Sequence, residues 1–244
     1  MNALPQTTLS RLEKLHASVV RVIRGKPEIV DAVMAALLAR GHVLLEDVPG
    51  VGKTTLAQAV AKSLDLEFHR IQFTSDTLPS DLIGISIYRQ DSGTFEFQTG
   101  PVFANVVLAD EINRATPRTQ SALLEAMSEH AVTVDKTRHP LPDPFFVIAT
   151  QNPVESTGTY PLPESQLDRF LMRLSMGYPD RGEELELLRS GGVEPEMGRL
   201  RPVLDAAEVL DLQDAVTEVH VAPELQAYVL DVVEATRDHR SLSL

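Results

Sequence analysis

The chain has no cysteine and no tryptophan. Without thiols, a disulfide framework, a thiolate zinc site and a cysteine nucleophile are all excluded. Aromatic residues make up only 5% of the sequence, which favours a helix-rich α/β protein over a β-sandwich. No apolar run approaches the ~20 residues that span a bilayer. The polar residues 1–10 lack the apolar stretch of a signal peptide, and a cytoplasmic location is expected. Bases are scarce beside acids, with 22 Lys and Arg against 35 Asp and Glu and a formal net charge of −13. Nucleic-acid affinity rests mainly on cations that neutralise phosphates, and no basic patch stands out, so binding to DNA, RNA or an anionic membrane is disfavoured. The 7 histidines, at positions 16, 42, 69, 130, 139, 220 and 239, include no pair at helical spacing with a glutamate between, so they read as core or surface residues rather than metal ligands. A Gly-x-Ser-x-Gly nucleophile elbow is also missing.

What is present is an alternation of short apolar runs and amphipathic stretches. The 244 residues, 43% of them apolar, allow one large domain or a core with a smaller partner. Helical periodicity appears over 9–24, with Leu12, Leu15, Val19, Val22 and Ile23 on one side, and again near 28–39. Residues 42–46, 68–73, 105–109, 145–150 and 171–176 read as strands of a buried parallel sheet, separated by helices near 53–64, 79–84, 117–129 and 164–170. Turn residues between β-formers predict hairpins near 86–98 and 131–141. Beyond residue 178 the pattern turns all-helical, with helices over 179–189, 205–219 and 223–237. The expected fold is α/β: a parallel five-stranded sheet with helices on both faces over residues 1–178, then a small helical domain over 179–244.

The chemistry concentrates at strand ends. Pro49-Gly50-Val51-Gly52-Lys53-Thr54-Thr55 follows the first strand and opens a helix. Glycines there let backbone N–H groups approach a polyphosphate, and the positive end of the helix faces the same anion. Lys53 reaches the terminal phosphates and the Thr54 hydroxyl ligates Mg²⁺. The full phosphate-loop pattern wants glycine at position 47, where this chain has Asp47. The third strand ends in Asp110-Glu111, at the edge where α/β sheets bind ligands. Asp110 is expected to hold Mg²⁺ and Glu111 to act as general base on the attacking water. The fourth strand ends in Gln151-Asn152-Pro153, where the neutral Asn152 side chain suits the γ-phosphate or the lytic water.

These residues, together with Asp110-Glu111-Ile112-Asn113-Arg114, Thr119-Gln120-Ser121-Ala122-Leu123-Leu124-Glu125-Ala126-Met127, Pro144-Phe145-Phe146-Val147-Ile148-Ala149-Thr150-Gln151-Asn152-Pro153 and Gln166-Leu167-Asp168-Arg169-Phe170, resemble the MoxR type of AAA+ ATPase over nearly the whole chain. The resemblance implies an AAA+ core with a helical lid. Lys53 and Thr54 then match the Walker A lysine and hydroxyl, Asp110 and Glu111 the Walker B pair, and Asn152 sensor 1. Arg169 matches the arginine finger that reaches a neighbour's γ-phosphate. Val22, Ile23 and Gly25 fall where the adenine is cradled, and the family tolerates Asp at position 47. The two hairpins match insertions that face the pore of a ring. The family also carries a sensor 2 arginine in the third lid helix, and no later helix follows Arg237, Asp238, His239 and Arg240 to supply one, so a truncated lid is expected. The implied function is ATP hydrolysis with Mg²⁺ by a hexameric ring, which acts as a chaperone-like remodelling or maturation factor on a client complex. A von Willebrand A-type domain protein is the implied partner. Two alternatives stand beside it: a nucleotide-dependent binding module with little hydrolysis, and a DNA-remodelling AAA+ protein, against which the absent basic patch counts.

Overall fold

A computed structural model describes residues 6–48, 50–153, 158–179, 181–190, 192–237 and 239, with the side chains at 186, 187 and 190 left aside. Pro49 of the phosphate loop, and Asp238 and Arg240 past the last helix, lie outside the described residues.

Five strands form one parallel sheet: β1 (Val43–Glu46), β2 (Phe68–Gln72), β5 (Val106–Asp110), β8 (Phe146–Gln151) and β9 (Met172–Leu174). Their order is β2-β5-β8-β1-β9, with every pairing parallel. Before β1 come α1 (Gln6–Val22) and α2 (Pro27–Leu38), and between the strands lie α3 (Lys53–Ser63), α4 (Pro79–Ile83), α5 (Pro117–Glu129) and α6 (Glu164–Leu167). The central strands β1, β5 and β8 are largely apolar without alternation because both sheet faces are covered there, whereas β2 and β9 at the two edges carry polar residues. Val43, Leu45, Val106, Leu108, Phe146 and Ile148 pack with Leu15, Val19, Val30, Val33, Leu56 and Val60 of α1, α2 and α3. Leu44, Val107, Ala109, Val147 and Ala149 point the other way, onto Leu82 of α4 and Leu123, Leu124 and Met127 of α5.

Local signals explain the element ends that matter. α5 starts on Pro117, whose missing N–H costs nothing at the first helical position, and Thr116 caps it by accepting from the Thr119 N–H at 3.4 Å. Two hairpins leave the sheet: β3 (Gly84–Arg89) with β4 (Thr94–Thr99), and β6 (Ala131–Val134) with β7 (Thr137–Pro140). The second turns on Asp135-Lys136, both at positive φ (49° and 67°), the backbone of a tight two-residue turn that matches strand twist. The first is closed at its base by Gly84 and Gly100. A Cβ on either would lie 2.2 Å from a backbone oxygen, Gln98 O or Leu82 O. His42, just before β1, is buried between the sheet and α5. Its Nδ1 accepts from the Val147 N–H at 3.1 Å, so Nε2 carries the proton and donates to Met127 O at 3.3 Å. Burial, with a smaller push from His130, lowers its pKa to about 4.

Past β9 come α7 (Arg181–Ser190), α8 (Glu194–Arg199), α9 (Ala206–Thr217) and α10 (Pro223–Arg237). Periodicity predicts three helices here; α8 is a fourth, and Pro195 and Gly198 obscure the period within its six residues. α8 and α9 do not form a core of their own among the described residues: Leu200, Leu204, Val209 and Leu212 join the layer of α1–α3. The Gln213 amide donates to Leu37 O at 2.7 Å, and Arg40 pairs with Asp214 at 2.7 Å. No residue of α10 is buried.

Candidate functional site

β1, β5 and β8 end side by side, and their carboxyl ends border a cavity of about 350 Å³. Gly50, Gly52, Lys53, Thr54 and Thr55 line one side. Asp110 and Glu111 from β5, Thr150, Gln151 and Asn152 from β8, and Arg70 and Gln72 from β2 line the others. β1 and β8 are neighbours whose outgoing connections pack on opposite faces of the sheet, α3 with one layer and Leu162, Leu167 and Phe170 with the other, and such a switch point opens a crevice at the carboxyl edge.

The loop between β1 and α3 runs through left-handed backbone, with φ of 87° at Gly50 and 96° at Gly52, the residue that caps α3. At Gly50 a side chain would meet nothing within 4 Å, so the glycine answers to backbone shape and leaves space open toward the cavity. The Lys53 ammonium turns back on the loop and donates to Asp47 O and Val48 O, both at 2.9 Å. Val51 is buried under the loop.

Opposite, Asp110 is buried, yet its carboxylate is fully engaged. Oδ1 accepts from the Thr150 hydroxyl at 2.6 Å, and Oδ2 from Arg70 Nη2 at 2.6 Å and Nε at 3.2 Å. The same Thr150 hydroxyl accepts the Glu111 N–H at 2.9 Å, so one side chain on β8 fixes both acids at the end of β5. Glu111 stands at φ 59°, ψ 48°, a region non-glycine residues rarely occupy. Its carboxylate accepts from Gln72 at 2.9 Å and Arg114 at 3.0 Å. Asn152 is buried at the cavity wall, and its carbonyl accepts from Asn113 Nδ2 at 3.3 Å. Asn113 Oδ1 is buried without a hydrogen-bond partner.

A divalent cation fits this donor set. Thr54 and Asp110 offer hard oxygen ligands of the kind Mg²⁺ prefers, and the Arg70 guanidinium on Asp110 and the Arg114 guanidinium on Glu111 show that both acids here face positive partners. The loop N–H groups and Lys53 across the cavity suit a polyphosphate.

The structure thus brings Gly50, Gly52, Lys53, Thr54, Thr55, Asp110, Glu111 and Asn152 to one cavity. Others of the predicted residues lie elsewhere. Ile23, with Val22, lines a separate narrow space of about 60 Å³ beside Gly52, Thr55 and Met176. Gly25 (φ 71°) faces the Glu183 carboxylate, which lies 1.5 Å from where a Cβ would stand. Arg169 is exposed and does not border the cavity. Its guanidinium donates to the Ser128 hydroxyl at the end of α5, and no ion pair with Asp168 or Glu164 is among those the structure describes. Sequence reasoning missed Arg70, Gln72 and Thr150, whose partners lie 39 or 40 residues away. The alternation of β2 held a signal: residues of one strand face placed beside the acids of β5 by parallel register, with Gln72 opposite Asp110.

A family model described as the ATPase family associated with various cellular activities (AAA) matches residues 42–172. The chain is 52% identical over 233 residues to YeaC of Bacillus subtilis, itself uncharacterised, across 96% of this chain and 73% of that one. It is 45% identical to the chaperone MoxR1 of Mycobacterium tuberculosis, of which it spans 61%, and 31% identical to the MoxR protein of Paracoccus denitrificans, of which it spans 72%. The crystal structure of a candidate ATPase from Cytophaga hutchinsonii superimposes with a TM-score of 0.85 at 42% identity, over 94% of this chain and 70% of that one.

Proposed function

The chain belongs to the MoxR family of AAA+ ATPases, and from that premise we propose that it binds ATP with Mg²⁺ in the cavity at the carboxyl ends of β1, β5 and β8 and hydrolyses it to ADP and phosphate. The convergence of Lys53 and Thr54 with Asp110, Glu111 and Asn152 around one 350 Å³ cavity carries the reading. In it the loop N–H groups and the α3 N-terminus hold the phosphates, and Lys53 exchanges its two loop carbonyls for the terminal phosphate oxygens. Thr54 and Asp110 would hold Mg²⁺, with Arg70 giving up Asp110 Oδ2, and a cation bound there would supply positive charge to offset that on the transferring phosphoryl group. Glu111, released from Gln72 and Arg114, takes the proton of the attacking water as the bond between the γ-phosphorus and its bridging oxygen breaks. Asn152 orients that water or the γ-phosphate. The adenine would enter the narrow space that Ile23 lines beside Gly52 and Thr55, with Gly25 nearby in sequence.

Arg169 is exposed away from its own chain's cavity, which supports action on a neighbour's site and hence a ring, a hexamer by family resemblance. An exposed guanidinium held, among the described residues, by a surface hydroxyl moves at little cost to meet a developing negative charge. The exposed tips of the hairpins β3–β4 and β6–β7 are the surfaces for a client, and a von Willebrand A-type domain protein is the expected partner. The overall role is chaperone-like remodelling or maturation of a client complex.

Steady-state phosphate release tests the enzyme reading. Glu111→Gln is expected to fall about 100-fold or more below wild type, with ATP still bound. Equal, background-level rates in the two forms would overturn hydrolysis and leave a nucleotide-dependent binding module.

A further inference from the structure

Asp47 stands at the first position of the phosphate loop, where this loop class ordinarily has glycine. It is buried, and each of its polar groups is committed to a different part of the molecule. Its N–H donates to Gln151 O at 3.2 Å, beside Asn152. Its carbonyl accepts from Lys53 Nζ at 2.9 Å. Its carboxylate accepts three donors from the segment that leaves β9 for the helical part: the Ser175 hydroxyl and the Gly177 N–H on Oδ1, each at 3.1 Å, and the Met176 N–H on Oδ2. Gly177 sits at φ 62°, and the next residue, Tyr178, is pinned by Lys26 Nζ on its carbonyl at 3.0 Å. A glycine at position 47 keeps the first two of these bonds and none of the carboxylate ones.

We propose that Asp47 is a positioning residue that couples phosphate occupancy of the loop to the connection between the sheet and the helices beyond residue 178. The inference rests on the nucleotide reading of the cavity. When phosphate oxygens take the Lys53 ammonium, Asp47 O loses its donor and the peptide planes of 47–48 are free to turn. The short Asp47 side chain is held by three donors and grips two consecutive amides, so the turn is passed to 175–177. Hydrogen bonds onto a carboxylate are about twice as strong as neutral ones, which suits a link that transmits displacement rather than absorbing it. The carboxylate also holds 175–177 off the sheet edge: β9 pairs with β1 only as far as Leu174.

Amide hydrogen exchange over 171–179, with and without Mg²⁺ and ATP in the hydrolysis-blocked Glu111→Gln full chain, tests the link without relying on turnover. Exchange at Met176 and Gly177 is expected to change about fivefold or more on adding ATP, from gain or loss of about 1 kcal/mol in local opening. Asp47→Gly, which supplies the ordinary loop residue, is expected to abolish that response and to raise unliganded exchange at both amides about tenfold, the equivalent of one lost charged hydrogen bond. In an otherwise wild-type chain the same change should lower kcat about tenfold while KM moves less than about threefold. Asp47→Asn retains one acceptor oxygen and should recover part of both effects. ATP bound by calorimetry with unaltered exchange at 176–177 overturns the coupling alone, as does a full response in Asp47→Gly. Failure of the wild-type chain to bind ATP at all overturns the nucleotide reading and this proposal with it.

Discussion

At the carboxyl edge of the sheet, Asp47, Asp110 and Thr150 are buried and every one of them is held by a partner from another strand or loop. Along α10 the reverse holds: Leu225, Tyr228, Val229, Leu230, Val232 and Val233 are all at least 38% exposed. The first region owes its order to contacts between residues far apart in sequence. The second keeps its helix by local means: a proline start at Pro223, Glu224 in the first turn and Arg237 in the last, placed to complement the helix dipole. A 15-residue helix without a packed face is marginal by propensity alone. Precision is thus confined to the sheet edge, and sequence changes in the two regions should register on very different scales.

The sharpest test compares two leucine truncations. Leu56→Ala empties a fully buried site beneath the phosphate loop and should cost about 3 kcal/mol of unfolding free energy in a urea titration. An equally exposed-helix change, Leu230→Ala, belongs at the other end of the scale, below about 0.5 kcal/mol. Comparable losses would mean that α10 is packed in solution and would break the contrast. Next comes Thr150→Val, similar in shape but unable to bridge Asp110 and the Glu111 N–H. It leaves a buried donor unpaired, which costs about 2 kcal/mol, and it should lower kcat about tenfold or more. A variant with wild-type turnover would show that Thr150 does not hold the acids in register.

The pH response comes from the same buried layer. His42 has a folded pKa of about 4, below its usual 6.5, so between these values the unfolded chain binds a proton that the folded chain refuses. Stability therefore falls as pH drops through that window, by about 2 kcal/mol between pH 7 and 5. His42→Gln keeps a donor and an acceptor without titrating. Its stability should be lower throughout but flatter over that range, and parallel pH profiles for the two proteins would show that His42 does not set the slope.

Most of the sheet edge was legible because the phosphate loop, Asp110-Glu111 and Asn152 are contiguous motifs on strands whose unbroken apolar runs mark them as buried. The five parallel strands, both hairpins and α5 from Pro117 to Glu129 follow from periodicity and turn chemistry. What sequence could not show was pairing over long separations. Thr150 reads as one more β-branched strand residue until β8 is laid beside β5, and Asp47 reads as a missing glycine until β9 is laid beside β1. The last strand ends at Leu174 rather than 176 for that reason. Arg169 was placed by motif, but its perch on Ser128 depends on how α5 and α6 meet.

Glu111 bears on how the site persists over generations. Its left-handed backbone costs a β-carbon-bearing residue about 1 kcal/mol or more, and a glycine there would relieve it. Drift toward a more stable chain therefore points straight at the loss of the proposed general base. A collection of variants chosen only for surviving heat would be enriched in replacements at 111, and glutamate remains there only while some downstream task requires the reaction.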